Sequence, residues 1–139
     1  MNNQTAIITG SYGDIGHAIA KKFVANNIII ALLGRNINKL KSQKDELSKT
    51  ENSDITILEV DIRDSDNLAE SIENLVKSWG RIDILVNNAG LTRDNIILRM
   101  SNEDWDDVIN TNLKGTFIAC KSVSKQMIKQ KSGVIINIS

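Results

Sequence analysis

The sequence has 139 residues, enough for one compact domain and too few for two of ordinary size. Seventeen Lys plus Arg balance seventeen Asp plus Glu, which leaves no basic excess for nucleic-acid binding, and no apolar run reaches the ~18 residues needed to cross a bilayer. The single cysteine, Cys120, excludes an internal disulfide and a cysteine-based metal cluster, and the start MNNQTAIITG has no secretory signal, so a reducing cytoplasm is the expected compartment.

The predicted elements alternate along the chain. A strand at Thr5–Thr9 leads into a helix over about Gly13–Asn26, and a strand at Ile28–Leu33 into a helix over about Asn36–Lys49. The polar stretch Lys49–Asp54 reads as a loop, followed by a strand at Ile55–Glu59. In Ser65–Trp79 the residues Leu68, Ile72, Leu75 and Trp79 fall on one helical stripe. A strand at Ile82–Asn87 precedes a long helical pattern over about Asn102–Lys131, with Leu113, Phe117, Cys120 and Met127 on one side. Ser101 and Asp104 open that pattern with the spacing of a capping box. The last strand is Val134–Ile138. Strands of continuous Ile, Val and Leu fit a parallel sheet covered on both faces. With right-handed crossovers the result is an α/β, doubly wound parallel sheet in three layers, αβα, of order 3-2-1-4-5.

In such a fold ligands bind at the carboxyl ends of the strands. The segment from Thr9 to Gly16 joins the first strand to its helix, with glycines at 10, 13 and 16. They permit a tight turn and close backbone approach, and the helix offers free N–H groups to an anion, so the segment suits a dinucleotide pyrophosphate; a plain turn is the alternative. The second strand ends in Leu33-Gly34-Arg35-Asn36 and has no acidic residue for a ribose 2′-hydroxyl. Gly34 leaves space and Arg35 can pair with a 2′-phosphate, which favours NADP over NAD; a solvated surface arginine is the alternative. Asp61-Ile62 and Asn87-Asn88-Ala89-Gly90 close the third and fourth strands and suit an adenine edge and a ribose, although asparagine and glycine also make ordinary loops.

Taken in order, Thr9-Gly10…Gly16, Asp61-Ile62, Asn87-Asn88-Ala89-Gly90 and Asn112 resemble the short-chain dehydrogenase/reductase family, from residue 4 onward. The stretch from Gly90 to Met100, with Trp105 and Thr111-Asn112-Leu113, is similar to the 3-oxoacyl-[acyl-carrier-protein] reductases of bacterial fatty-acid synthesis. The resemblance implies a Rossmann-type, NADPH-dependent reductase of acyl carrier protein thioesters that assembles as a homotetramer through the helix around Asn112–Lys131. It places Gly10, Ser11, Tyr12, Gly13, Ile15 and Gly16 around the pyrophosphate and Arg35 on the 2′-phosphate. Asp61 and the Ile62 backbone fall to the adenine, and Asn87, Ala89 and Gly90 to the ribose region. Asn112 matches the asparagine of the catalytic tetrad, which holds a helix kink and a water linking the active-site lysine to solvent. Asp14 departs from the pattern, standing where the family's middle glycine usually does, and its charge would oppose a nearby phosphate.

Keto reduction also needs a proton donor for the developing alkoxide. The family uses a serine past the fifth strand and a Tyr-x-x-x-Lys. Here the one tyrosine is Tyr12, no Tyr-x-x-x-Lys occurs, and Ser139 stands one place before the serine that acts. The chain therefore reads as the amino-terminal part of such a reductase, cut before its catalytic segment, with strand five an exposed edge that favours aggregation or a partner. The alternatives are a non-catalytic NADP-binding fragment, a short-chain reductase of another carbonyl, and a phospho-receiver domain with Asp61 as acceptor; the last lacks the acidic pair that would hold Mg²⁺ after the first strand. Of the remaining residues, His17 is expected at the surface and Cys120 in the core. Lys129 and Lys131 read as a solvated helix end, or as a basic region meeting the carrier protein.

Overall fold

The computed structural model describes residues 4–49 and 54–139. Its elements are β1 (Thr5–Thr9), α1 (Asp14–Val24), β2 (Ile29–Gly34), α2 (Ile37–Ser48), β3 (Ile55–Glu59) and α3 (Ser65–Trp79). They continue with β4 (Ile84–Asn87), a 3₁₀ turn (Ile97–Arg99), α4 (Asn102–Val108), a π-helical segment (Ile109–Lys114), α5 (Gly115–Gln130) and β5 (Val134–Asn137). The strands form one parallel sheet of order β3-β2-β1-β4-β5, as the alternating pattern predicts. Residues 50–53 of the loop expected at Lys49–Asp54 lie outside the described residues.

The continuous apolar strands follow from two covered faces, because successive side chains point to opposite sides. Ile7, Ala31, Leu33 and Leu85 share one cluster with Leu68, Ile72 and Leu75 of α3 and Ala119 and Val123 of α5. Ala6, Ile8, Leu32 and Val86 share the other with Ala20 and Val24 of α1 and Leu40 and Leu47 of α2. The helices begin on side-chain caps where the sequence supplies them. Asn36 Oδ1 accepts from Lys39 N, Asp64 Oδ1 from Asn67 N, and Ser101 and Asp104 form the reciprocal box expected of them. α3 stops at Gly80, whose φ of +71° is the left-handed turn that glycine adopts at least cost.

The long helical pattern differs from expectation in two ways. It is broken by the π-helical turn Ile109–Lys114, and its buried face is not the predicted one. Leu113 and Phe117 are 64% and 59% exposed, whereas Thr111, Gly115, Ala119 and Val123 turn inward. The reason is close approach: a Cβ on Gly115 would lie 2.5 Å from Ile62 Cγ1, so small residues, not large ones, mark the packed stripe. Cys120 and Met127 pack partly against the core. β5 pairs with β4 from Ile84↔Val134 to Asn87↔Asn137 and is an exposed sheet edge.

Candidate functional site

The parallel sheet brings the carboxyl ends of β1 to β4 to one rim, where a cleft of about 440 Å³ opens. Thr9 knits its base. The Thr9 hydroxyl accepts from the N–H groups of Asn88 (3.1 Å) and Ala89 (3.0 Å), and Asn88 Nδ2 donates to Gly10 O at 3.0 Å. The turn after β1 and the loop after β4 are thereby locked together at the point where the strand order reverses, which is where open α/β sheets take their ligands.

The three glycines differ in what they do. Gly10 has φ +59°, and a Cβ there would lie 2.8 Å from Ala89 Cα; a Cβ on Gly16 would lie 2.6 Å from Gly10 O. Both are needed to close the turn. At Gly13 the nearest atom to a Cβ is 3.6 Å away, so this glycine leaves the cleft open. Gly13 caps α1 with no side-chain hydrogen bond, and the first-turn N–H groups of α1 remain donors for an anion. The donor set and the open floor at Gly13 fit the phosphates of a dinucleotide.

Of the predicted residues, Gly10, Tyr12, Gly13, Ile15, Arg35, Asp61, Ile62, Ala89 and Gly90 line this cleft, together with Asp14. Three others back it. Gly16 is buried behind the turn. Ser11 is fully buried and bonds to Gln43. Asn87 is buried too, and its Nδ2 donates to Asn137 Oδ1 (2.9 Å) and Cys120 Sγ (3.3 Å) in the direction of β5. The space expected above Gly34 is filled: the Tyr12 ring lies where a Cβ of that residue would be, and Lys39 Nζ stands 5.4 Å from the ring centroid. Arg35 is exposed at the rim.

Asp61 is engaged by Arg63, whose backbone N–H, Nε and Nη2 all donate to its carboxylate at 2.7–3.2 Å. Those hydrogen bonds, chiefly the side-chain ones, hold the Asp61 carboxyl below the usual aspartate value. Arg63 Nη1 continues to Asp107 of α4 (3.1 Å), and Arg93 approaches the same carboxylate at 3.4 Å. Asn112 lies in the π-helical turn. Its Oδ1 accepts from Leu91 N and its Nδ2 donates to Leu91 O, each at 2.9 Å, so the loop after β4 is pinned to the helix break.

His17 is not a free surface group: it is half-buried between α1 and α2, with Nδ1 3.2 Å from Gln43 Nε2 and Nε2 3.4 Å from Glu46 Oε1. The sequence places Thr9 in the candidate segment without a role, and it does not single out Arg63 and Gln43 as residues that build the site. Gln43 was detectable, since it falls between Leu40 and Leu47 on the buried face of α2, where a polar residue is out of place.

A sequence profile of the family described as short chain dehydrogenase matches residues 4–139. The chain belongs to that family. It is 39% identical over 137 residues to a 3-oxoacyl-[acyl-carrier-protein] reductase FabG of Chlamydia muridarum, covering 99% of this chain and 55% of that protein. To the FabG of Staphylococcus aureus it is 36% identical over 136 residues, covering 98% and 55%. Among solved structures it resembles a metagenomic short-chain oxidoreductase in complex with NADP, with a TM-score of 0.94 and 32% identity over 98% of this chain and 62% of that one. An NAD⁺-bound xylitol dehydrogenase superposes with a TM-score of 0.90 at 28% identity, covering 96% and 52%. The chain thus spans just over half the length of the curated relatives it matches.

Proposed function

We propose that these residues form the cofactor-holding half of an NADP(H)-dependent reductase, acting on 3-oxoacyl-[acyl-carrier-protein] in fatty-acid synthesis in the cytoplasm. The observation that carries the cofactor reading is the cleft itself: a glycine turn with an open floor at Gly13, facing the first turn of α1 at the point where strand order reverses. The substrate reading is supported by the names of the relatives at 36–39% identity.

The first-turn N–H groups of α1 bind the pyrophosphate, and Arg35 pairs with the 2′-phosphate through its planar fork. Neighbours in this family carry either NADP or NAD⁺; Leu33-Gly34-Arg35-Asn36 offers a cation and no carboxylate, which selects NADP. Asp61 and the Ile62 backbone orient the adenine, and the Asn88–Gly90 loop borders the ribose. Asp14 puts a negative charge beside the phosphates and weakens the grip. Bound NADPH supplies a hydride for the β-keto carbon. Asn112 holds the loop and the helix break around the reacting end. The Tyr-x-x-x-Lys that would donate the proton does not occur in these 139 residues, so the chain by itself binds without turnover. Trp105, Leu113 and Phe117, all exposed on α4, the π turn and α5, supply the apolar face for a homotetramer.

The test is a fluorescence titration with NADPH and with NADH, followed by an acetoacetyl thioester. Saturable binding that prefers NADPH, without oxidation of the cofactor, is the expected result. Failure to bind either dinucleotide overturns the cofactor reading; equal binding overturns the role of Arg35.

A further inference from the structure

Gln43 sits beneath the glycine turn, and its surroundings assign it a task beyond packing. Its side chain is 4% exposed, between Leu40 and Leu47 on the inner face of α2. A carboxamide in such a place is costly unless its hydrogen bonds are met. Nε2 donates to Ser11 O at 2.6 Å, and Oε1 accepts from Ser11 Oγ at 3.0 Å. Ser11 N–H in turn donates to Leu33 O on β2 at 3.2 Å. Ser11 is thus fixed from two elements, and its chain neighbours Gly10 and Tyr12 are walls of the cleft.

The second N–H of the Gln43 amide faces His17 Nδ1 at 3.2 Å. That nitrogen accepts only as a lone pair, so the network assigns the neutral imidazole's proton to Nε2, on the side of Glu46 Oε1. Protonating His17 places N–H against N–H. Rotating the Gln43 amide to escape would turn Oε1 toward Ser11 O, acceptor against acceptor. The first outcome costs Gln43 its His17 contact, and the second removes its bond to Ser11 O, which holds the turn. The charged groups that line the same groove are Glu46 and Lys39 on α2 and Asp14 on α1.

We propose that Gln43 is a positioning residue for the cofactor cleft, holding the glycine turn through Ser11 in an arrangement that requires neutral His17. The proposal rests on the cofactor reading for its binding readout, and on the geometry of the turn for the rest.

The experiment compares the 139-residue chain with Gln43→Leu, Gln43→Glu and His17→Gln. Two quantities are measured: NADPH affinity by fluorescence, and amide exchange at residues 10–13 without cofactor between about pH 8 and pH 5.5, the span in which histidine changes charge. Both Gln43 variants should weaken NADPH about five- to tenfold and speed exchange in the turn, the loss of one or two hydrogen bonds. On acidification the wild-type turn should lose protection, measured as exchange relative to the intrinsic rate at each pH, and His17→Gln should abolish that loss. NADPH affinity is compared between variants at one pH, because the ligand's 2′-phosphate also changes charge at about pH 6. Gln43→Glu keeps the side chain's shape, so it separates loss of the bonds from loss of packing. Wild-type affinity and exchange in Gln43→Glu, or a pH dependence of turn protection that survives in His17→Gln, overturns the proposal. If wild type binds no NADPH, the cofactor reading falls and turn exchange alone decides the role of Gln43.

Discussion

Asn112 and Leu91 form a closed pair: the carboxamide of one accepts from the backbone N–H and donates to the backbone carbonyl of the other, each at 2.9 Å. Asn112→Ala removes both bonds and should cost about 1–2 kcal/mol while exposing the Leu91 amide to rapid exchange. Asn112→Asp keeps the acceptor and loses the donor, so Leu91 N–H should remain protected. Exchange at Leu91 followed by NMR checks both outcomes.

Arg35 carries the predicted choice between the two nicotinamide dinucleotides. Arg35→Ala should weaken NADPH by about ten- to a hundredfold, the range of a lost charge-assisted contact, and leave NADH nearly unchanged. The wild-type preference should also shrink as salt is raised, because Arg35 is exposed. Paired titrations at two ionic strengths measure this directly.

Gly10 and Gly13 give a matched pair of substitutions with opposite outcomes. Gly10→Ala forces a side chain into φ +59° and against Ala89 Cα, so it should lower stability by about 1–2 kcal/mol or more. Gly13→Ala has ordinary φ and room for its methyl, so melting should change by less than about 0.5 kcal/mol while NADPH binding falls. Thermal denaturation alongside the titration distinguishes them.

The fold was legible because its signals are redundant. Each strand between Thr5 and Asn137 is apolar on both faces, and α3 carries both its stripe and its cap in sequence. What misled was size. Leu113 and Phe117 looked like the inward face of the long helix, but close packing on Ile62 requires Gly115, with Ala119 buried on the same face, and periodicity cannot tell a small buried stripe from a large exposed one. The cleft was legible as residue types at strand ends. The side-chain directions of Ser11 and Asn87 were not, because they depend on Gln43, Asn137 and Cys120, which are 32 to 50 residues away in the chain.

Asp83 is buried at the opposite rim, where its carboxylate accepts from Thr5 N (2.8 Å), Thr5 Oγ and Arg81 Nε (2.8 Å). The Arg81 hydrogen bonds, aided by those from Thr5, hold its carboxyl below the ordinary value of 3.8 against the upward push of burial. A depressed native value means that the unfolded chain binds the proton more readily. The contribution is therefore complete above about pH 4 and declines as the pH falls through the native value. Asp83→Asn should cost about 1–3 kcal/mol at neutral pH and flatten stability below pH 4, as read by urea unfolding across pH.

Leu113 and Phe117 offer the remaining test. Being solvent-facing, Leu113→Ser and Phe117→Ser should shift the melting of the monomeric chain by less than about 0.5 kcal/mol. If this face joins copies, the same variants should lower the sedimenting mass. Sedimentation that is unaltered by both would remove α5 from the interface.

The parallel sheet separates two kinds of heritable damage. Every strand starts at the rim stapled by Asp83, Thr5 and Arg81 and ends at the rim of Thr9, Gly10 and Asn88. Variants drawn from the first rim should lower abundance in a cell without altering affinity per folded molecule. Variants drawn from the second that spare the residues closing the turn, Thr9, Gly10, Gly16 and Asn88, should do the reverse. A library scored for both expression and dinucleotide capture would then sort into two populations by the end of the strand each substitution occupies.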